Sequence, residues 1–561
     1  MFIPTTQKEL DQLGWSQCDV ILVTGDTYVD SPFVGVSVVG RVLMDAGYRV
    51  GIIAQPDTHS PDDIARLGEP ALFWGVTGGC IDSMVANYTA TKRPKRQDDL
   101  TPGGRNDRRP DRAVIIYTNL IKRYFKSTAP IVLGGVEASL RRIAHYDYWS
   151  DSIRRSILFD AKADLLLYGM ADRTVAALAN RLQRGESVDD LPGLCWIAHE
   201  KPPACIELPS YQRAQEDDEA FIEMFHTFYR NTDPITAQPL CQQQDTRYLV
   251  QNPPAPYLTQ DELDRVHELG FERDVHPFYA KQGEVRALDT IRFSVPTHRG
   301  CYGECNFCSI AVHQGRTVRW RSEGSILGDV REMTDDPDFK GYVLDVSGPT
   351  ANMYGFECSR KQRAGVCEDR RCITPDICPG LRVNHEKQLS LLRRLRQVEG
   401  VEKVFVASGL RYDLLLADEE HGDELLREIV EHHVSGQMKV APEHSVEHVL
   451  ELMGKPGLED LLEFRERFYR MTEEAGKEQY LTYYLIAAHP GCTERDMERL
   501  KRFTREKLKV QPRQVQVFTP TPSTYASVMY HTERNPFTGE PIFVEKDLKG
   551  KQKQKDIVVG G

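Results

Sequence analysis

The chain reads as α/β twice over: an N-terminal Rossmann-like parallel-sheet domain, then a second series of strand–helix units that closes into a partial (β/α)6 barrel. Three observations predict this. Apolar strand-like runs alternate with helical patterns between Asp19 and Tyr168, and again between Ile291 and Phe518, as in parallel sheets with helical crossovers. Between the two series, from Lys201 to Glu284, the pattern breaks into Pro-rich and charged stretches. A loop with three cysteines directly follows the first strand of the second series, and such strand ends collect function in parallel α/β folds. The expected boundaries are an α/β domain over 1–200, a connector over 201–284, a core over 285–530 with a Cys-rich insertion at 356–380, and a polar tail over 531–561.

The elements follow in order. Thr6-x-x-Glu9 is a capping box for a short opening helix. Asp19 to Thr24 is a buried strand, Val34 to Ala46 a helix stopped by Gly47, and Arg49 to Ala54 the next strand. Further strands are expected at Ala71–Val76, Ala113–Tyr117, Ile131–Leu133 and Leu165–Tyr168. The connector holds helical pieces near Asp217–Tyr229 and Thr259–Glu268. In the second series the strands are Ile291–Pro296, Tyr342–Val346, Lys403–Ala407, Gln437–Val440, Leu481–Ile486 and Gln514–Phe518. Helices between them centre on Gly324–Thr334, Glu386–Val398, Glu424–Val434, Leu458–Ala475 and Thr493–Lys507. Lys549 to Lys555 is expected to fray.

Composition narrows the function classes. Hydrophobic residues make up 40% and charged residues 27% of 561, ordinary for a chain with a packed core. The net charge of −12 argues against a surface built for nucleic acid, so there is no strong nucleic-acid signal. The basic stretches Lys92–Arg96 and Arg105–Arg112 read first as solvated loop and only second as an RNA contact. The chain shows neither a basic, apolar leader pattern at its start nor an apolar run of membrane-spanning length, so a cytoplasmic protein without membrane contact is expected. Cysteines clustered in a large chain of this kind favour metal over disulfides.

The loop Arg299-Gly300-Cys301-Tyr302-Gly303-Glu304-Cys305-Asn306-Phe307-Cys308 carries C-x₃-C-x₂-C. Thirteen cysteines scattered at random over 561 positions would produce that spacing about 0.007 times. Three thiolates in one short loop can hold three irons of a [4Fe–4S] cube and leave the fourth iron open for chemistry. A structural zinc site would need a fourth, closing ligand. A second set, Cys358, Cys367, Cys372 and Cys378, follows as C-x₈-C-x₄-C-x₅-C with Pro379 behind it. Four thiolates can close a site of their own, either a second [4Fe–4S] cluster or zinc. Cys492 reads first as an ordinary buried thiol and second as a reserve ligand.

With Phe307 before the last cysteine, this loop after the first strand of a βα series resembles the radical S-adenosylmethionine (SAM) superfamily. Ser347-Gly348-Pro349-Thr350-Ala351-Asn352-Met353-Tyr354, Ala407-Ser408-Gly409-Leu410-Arg411-Tyr412-Asp413, Lys439-Val440-Ala441-Pro442-Glu443-His444 and Phe518-Thr519-Pro520-Thr521-Pro522 resemble the YgiQ-type radical SAM proteins. Gly25-Asp26-Thr27-Tyr28-Val29-Asp30 and Val50-Gly51-Ile52-Ile53-Ala54-Gln55-Pro56 extend the likeness to the first domain. The resemblance implies a [4Fe–4S] cluster on Cys301, Cys305 and Cys308, with SAM chelating the open iron and yielding a 5′-deoxyadenosyl radical. It implies a reductant protein such as flavodoxin or ferredoxin, and no particular substrate.

The same resemblance suggests SAM-binding positions at the strand ends. The superfamily's Gly-Gly-Glu segment is replaced here by Ser347-Gly348-Pro349, without the Glu, so Ser347 and Gly348 either meet SAM or close a tight turn. Ser408 and Arg411 end the third strand; Arg411 faces the SAM carboxylate or forms an ion pair at the barrel rim. Glu443 ends the fourth strand, in reach of a ribose, and His444 reads as structural. The first domain resembles cobalamin-binding domains, but the turn Asp26–Pro32 has no His for cobalt, which disfavours cobalamin. Gly134-Gly135-Val136-Glu137 contacts a ligand or closes a turn. Methylthiotransferase-like chemistry is one variant of the enzyme reading, on the segment Glu443 to Pro456. The alternative is a non-catalytic iron–sulfur protein for electron transfer or redox sensing, and the open iron argues against it.

Overall fold

A computed structural model describes residues 1–560. The chain forms two compact units, Met1–Leu258 with Glu262–Arg292, and a second that begins at Phe293 and includes Thr259–Asp261.

In the first unit, five parallel strands make the centre of a sheet, in the order Val50–Ala54, Val20–Thr24, Phe73–Thr77, Ile131–Gly134, Leu165–Leu167. Their near-continuous apolar runs are buried on both faces, as parallel strands covered by helices require. Val36 and Leu43 of the helix Gly35–Asp45, and Val175 and Leu178 of the helix Asp172–Arg184, pack on the same core. The capping box forms, with Thr6 N–H donating to Glu9 Oε2 at 2.9 Å. Past the helix Gly35–Asp45, Gly47 adopts φ +90° and Tyr48 N–H reaches back to Leu43 O, which closes the helix end.

The segment 201–284 contributes to this unit. The strands Ile206–Leu208, Leu240–Gln244 and Arg247–Gln251 extend the sheet beyond Leu194–Ala198, giving nine strands among the described residues. Here the expectation of metal over disulfides fails for two cysteines outside the clusters. The strands Ile206–Leu208 and Leu240–Gln244 are parallel neighbours, so Cys205 and Cys241 face each other with Cα atoms 5.8 Å apart and form a disulfide.

Two further expectations change. Ala113–Tyr117 is not a strand but the start of a helix, Ala113–Tyr124. Its β-branched run suits a strand, yet Ala113, Val114, Tyr117, Thr118, Leu120 and Ile121 bury one helical face, and that packing decides. The basic stretch before it is not simply solvated, because Arg109 is buried, reaching Asp26 Oδ1 at 2.5 Å and Asp98 Oδ2 at 3.0 Å.

The second unit is a partial (β/α)6 barrel. Ser294–Pro296 pairs in parallel with Asp345–Ser347, Tyr342–Val343 with Lys403–Val404, Gln437–Glu443 with Tyr480–Ala487, and the last with Gln516–Val517. A parallel bridge from Leu410 to Val440 joins the third strand to the fourth. Helices Glu323–Thr334, Glu386–Leu395, Gly422–Glu428, Glu459–Glu474 and Glu494–Glu506 lie between the strands in sequence. The terminal stretch expected to fray is helical over Leu548–Val559. Lys551 stacks on the Tyr530 ring at 4.4 Å, and Gln554 accepts from Ala488 N–H and donates to Cys492 O. Those buried contacts hold the helix where its lysine-rich composition alone would not. Among the described residues no helix is long and apolar enough to cross a membrane.

Candidate metal centre

The three-cysteine loop leaves the strand Ser294–Pro296 through a short antiparallel pair, His298–Arg299 with Arg319–Trp320. Cys301 N–H donates to Gly315 O at 3.2 Å, and Cys308 N–H to Cys305 O at 3.0 Å. Asn306, between the second and third cysteines, is buried and satisfied on every polar group. Its N–H donates to Met453 O at 2.8 Å and its Nδ2 to Leu452 O at 2.9 Å. Its carbonyl accepts from Ala526 N–H at 2.8 Å, and its Oδ1 from Arg371 at 2.7 Å. A buried amide fully paired in this way fixes the loop. Phe307 packs edge-on against His489, with centroids 6.1 Å apart.

Gly303 shows what the loop encloses. A Cβ on this residue would lie 3.2 Å from Cys301 Sγ, 3.5 Å from Cys305 Sγ and 3.8 Å from Arg411 Nη1. Two thiols and a guanidinium therefore border one small space beside Gly303, which the missing side chain leaves open. Burial and the neighbouring Cys305 push Cys308 up to about 12, and burial raises Cys301 likewise. Without metal these groups are thiols, so loading them must release protons. The donor set, three soft sulfurs on one tight loop beside a cation, fits an anionic iron–sulfur cube with three protein ligands. Among the described residues no three His, Cys, Asp or Glu side chains converge as they would on a single ion. Ligands of a cube each take a different iron and are spread around it.

Arg411 is buried at the end of the third strand, its Nε donating to Asp413 Oδ1 at 2.8 Å and its Nη2 contacting Asp413 Oδ2. Burial opposes its charge, but Asp413 and Cys305 hold the guanidinium protonated, and Arg411 in turn keeps Asp413 low against its own burial. Asn352 clamps the Arg411 backbone from both sides, accepting its N–H at 2.8 Å and donating to its carbonyl at 2.9 Å.

Glu443 is buried with φ +68°, unusual outside glycine, at an irregularity in the strand Gln437–Glu443. Burial pushes its carboxyl up, against the pull of Lys455 and Arg411. Ser347 and Ser408 are hydrogen-bonded to one another, Oγ to Oγ at 2.8 Å, and both reach Asp345 Oδ2. Gly348 lies against His298, where a Cβ would meet the ring at 2.5 Å; burial lowers that imidazole to about 4. His444 is buried, its Nδ1 accepting from Val446 N–H and its Nε2 3.5 Å from Cys492 Sγ. In the second set Cys358 is buried and Cys367, Cys372 and Cys378 are half-buried.

Asn306, Gly303, Asn352, Asp345 and Asp413 are part of this arrangement, and spacing alone did not single them out. The one local signal was Asp413, two residues past Arg411 in the first turn of the helix Tyr412–Ala417. In the first unit, the turn considered for cobalt uses its groups internally. Asp26 accepts from Arg109 and from Cys80 N–H, Thr27 donates to Gln55 at 3.0 Å, and Asp30 pairs with Arg41. Gly134 opens the helix Gly135–Leu140, and Glu137 accepts from Ser83 N–H at 2.9 Å.

Comparison with known proteins places these features. A family model described as Radical SAM N-terminal matches residues 2–294, and a domain of unknown function (DUF3362) matches 513–558. A UPF0313 protein of Fusobacterium nucleatum is 55% identical over 99% of this chain and 98% of its own length. One of Thermotoga maritima is 49% identical, covering 100% of this chain and 98% of its own. Among solved structures, the fold resembles the radical S-adenosylmethionine methyltransferase TsrM from Kitasatospora setae (TM-score 0.50, 15% identity, 90% of this chain and 75% of that one). It also resembles the cobalamin-dependent S-adenosylmethionine radical enzyme OxsB (TM-score 0.50, 12% identity, 94% of this chain and 57% of that one). With relatives this similar over their whole length, the chain belongs to the UPF0313 family, the YgiQ-type branch of the radical SAM superfamily.

Proposed function

We propose that the protein is a radical SAM enzyme whose [4Fe–4S] cluster is held by Cys301, Cys305 and Cys308, with SAM at the iron that no protein residue ligates. The observation that carries this is the space at Gly303, bordered by Cys301 Sγ, Cys305 Sγ and Arg411 Nη1. When bound, such a cluster supplies the electron that splits a sulfur–carbon bond of SAM into methionine and a 5′-deoxyadenosyl radical, which takes hydrogen from the substrate.

The chain's own groups then have separate tasks. Asn306 holds the cysteine loop in register. Arg411, oriented by Asp413 and Asn352, presents a fixed positive charge for the SAM carboxylate. Glu443, enclosed at its strand end, is suited to a ribose hydroxyl, and Ser347, Gly348 and Ser408 line the neighbouring strand ends. A one-electron carrier of the flavodoxin or ferredoxin kind is the expected reductant, and the cytoplasm the expected compartment.

The test is anaerobic reconstitution with dithionite and SAM. Wild type should form 5′-deoxyadenosine, and the variant Cys301→Ala, Cys305→Ala, Cys308→Ala should form none. Cleavage by that variant at the wild-type rate would overturn the reading.

A further inference from the structure

The insertion that follows Ser347 brings Cys358, Cys372 and Cys378 into one neighbourhood, and Cys367 lies in the same insertion. Cys378 N–H donates to Cys372 O at 2.9 Å, and Leu381 N–H to Cys378 O at 2.8 Å, which turns the loop back on itself. A Cβ on Gly380 would lie 3.6 Å from both Cys358 Sγ and Cys378 Sγ, so these sulfurs flank one point although twenty positions separate them in sequence.

Two cations of the same insertion each meet a different sulfur. Lys361 Nζ lies 3.6 Å from Cys372 Sγ, and Arg360 Nη1 donates to Cys367 Sγ. Lys361 is itself buried and also bound to Glu357 at 3.3 Å and to Arg316 O at 2.6 Å. Glu357 balances the Lys361 charge, and the ammonium is left beside the Cys372 sulfur at the wall of the insertion.

The place of the insertion matters as well. Tyr302, next to Cys301, is fully buried in one hydrophobic cluster with Phe356, Cys358, Ile373 and Leu381, and Cys301 and Cys372 pack against it. Its ring lies 5.7 Å from Phe356 and 4.9 Å from Lys361 Nζ. The two cysteine sets thus share a wall.

We propose that Cys358, Cys367, Cys372 and Cys378 ligate a second iron–sulfur cluster of the [4Fe–4S] type, with all four irons held by protein. Zinc would need four sulfurs at about 2.3 Å from a single point. A cube spreads its thiolates over four corners and carries net negative charge, and cations distributed over separate sulfurs complement that larger anion. The missing C-x₂-C pair, which zinc knuckles use to hold two ligands on one turn, agrees with the larger occupant. The proposal does not depend on the function assigned to the first loop.

The test is metal counting on the full chain after anaerobic reconstitution with iron and sulfide, with zinc measured in the same samples. The variant Cys301→Ala, Cys305→Ala, Cys308→Ala keeps the second set whole. It should retain about four irons and four sulfides per chain, half the wild-type content, and show no zinc. Cys358→Ser with Cys372→Ser should also lose half of the wild-type iron while still cleaving SAM or binding it at the first loop. If that double variant does not fold, as judged by circular dichroism, the first variant still decides. About one zinc without iron in the first variant would overturn the proposal in favour of a structural ion, and neither metal would remove the site. Failure of the first-loop reading has a different signature, wild type with about four irons that are unaffected by the Cys301, Cys305 and Cys308 substitutions.

Discussion

Arg411 and Asp413 form a buried pair in which Nε donates to Oδ1 at 2.8 Å and Nη2 contacts Oδ2, while Nη1 borders the space at Gly303. One arginine therefore answers to a structural partner on one edge and to the cysteine loop on the other. The rim ion pair and the ligand contact are not exclusive, because a guanidinium has donors for both.

Arg411→Ala should accordingly show two effects. It leaves the Asp413 carboxylate buried without its cation, which should lower stability by about 3–5 kcal/mol in denaturant unfolding. It should also weaken SAM binding in the folded, reconstituted protein by about ten- to a hundredfold, the value of a lost charge-assisted bond. Glu443→Ala should weaken SAM binding similarly, with iron content unchanged. Undiminished SAM affinity in both variants would remove Arg411 and Glu443 from the ligand site.

Gly303→Val should abolish cluster loading while the chain stays folded. The new methyls would enter the space between Cys301 Sγ and Cys305 Sγ, which already lie 3.2 and 3.5 Å from the added Cβ. The iron count after reconstitution should fall by about the four irons of one cube, and the circular dichroism spectrum should match wild type. Full loading of Gly303→Val would show that the sulfurs move apart freely.

Acid stability should depend on Glu428. Its carboxylate meets Arg396 at 2.6 Å, Arg393 at 3.1 Å and His433 at 3.4 Å. Burial works to raise its pKa, and these three partners outweigh burial and lower it from 4.5 to about 2. A carboxylate lowered in the fold stabilises the native state above its unfolded value, and that contribution is lost as the pH falls from about 4.5 towards about 2. Glu428→Gln should flatten the stability profile in that window and cost about 2 kcal/mol near neutrality, allowing for solvent around the two exposed arginines. An unchanged acid limb would disprove the assignment.

The first unit should not take up cobalamin. The turn Asp26–Pro32 has no imidazole, and Asp26, Thr27 and Asp30 are engaged with Arg109, Gln55 and Arg41. Protein purified from cells grown with cobalamin should lack corrinoid absorbance, and a stoichiometric corrinoid would refute this.

Sequence alone determined the two α/β series and the cysteine loop at the first strand end of the second series. Those features are written in local patterns: apolar runs of strand length, capping residues such as Thr6 and Glu9, and cysteine spacing too close to be accidental. The tertiary structure decided what local pattern cannot encode. Ala113–Tyr124 is helical because its buried face matches a helix in spite of a β-branched run. The final helix holds because Lys551 and Gln554 find partners at Tyr530, Ala488 and Cys492. Cys205 pairs with Cys241 because two strands distant in sequence are neighbours in the sheet. Likewise Asp413, Asn352 and Asn306 joined the site only when the chain was folded, since each acts through a partner whose position is set by packing and not by sequence distance.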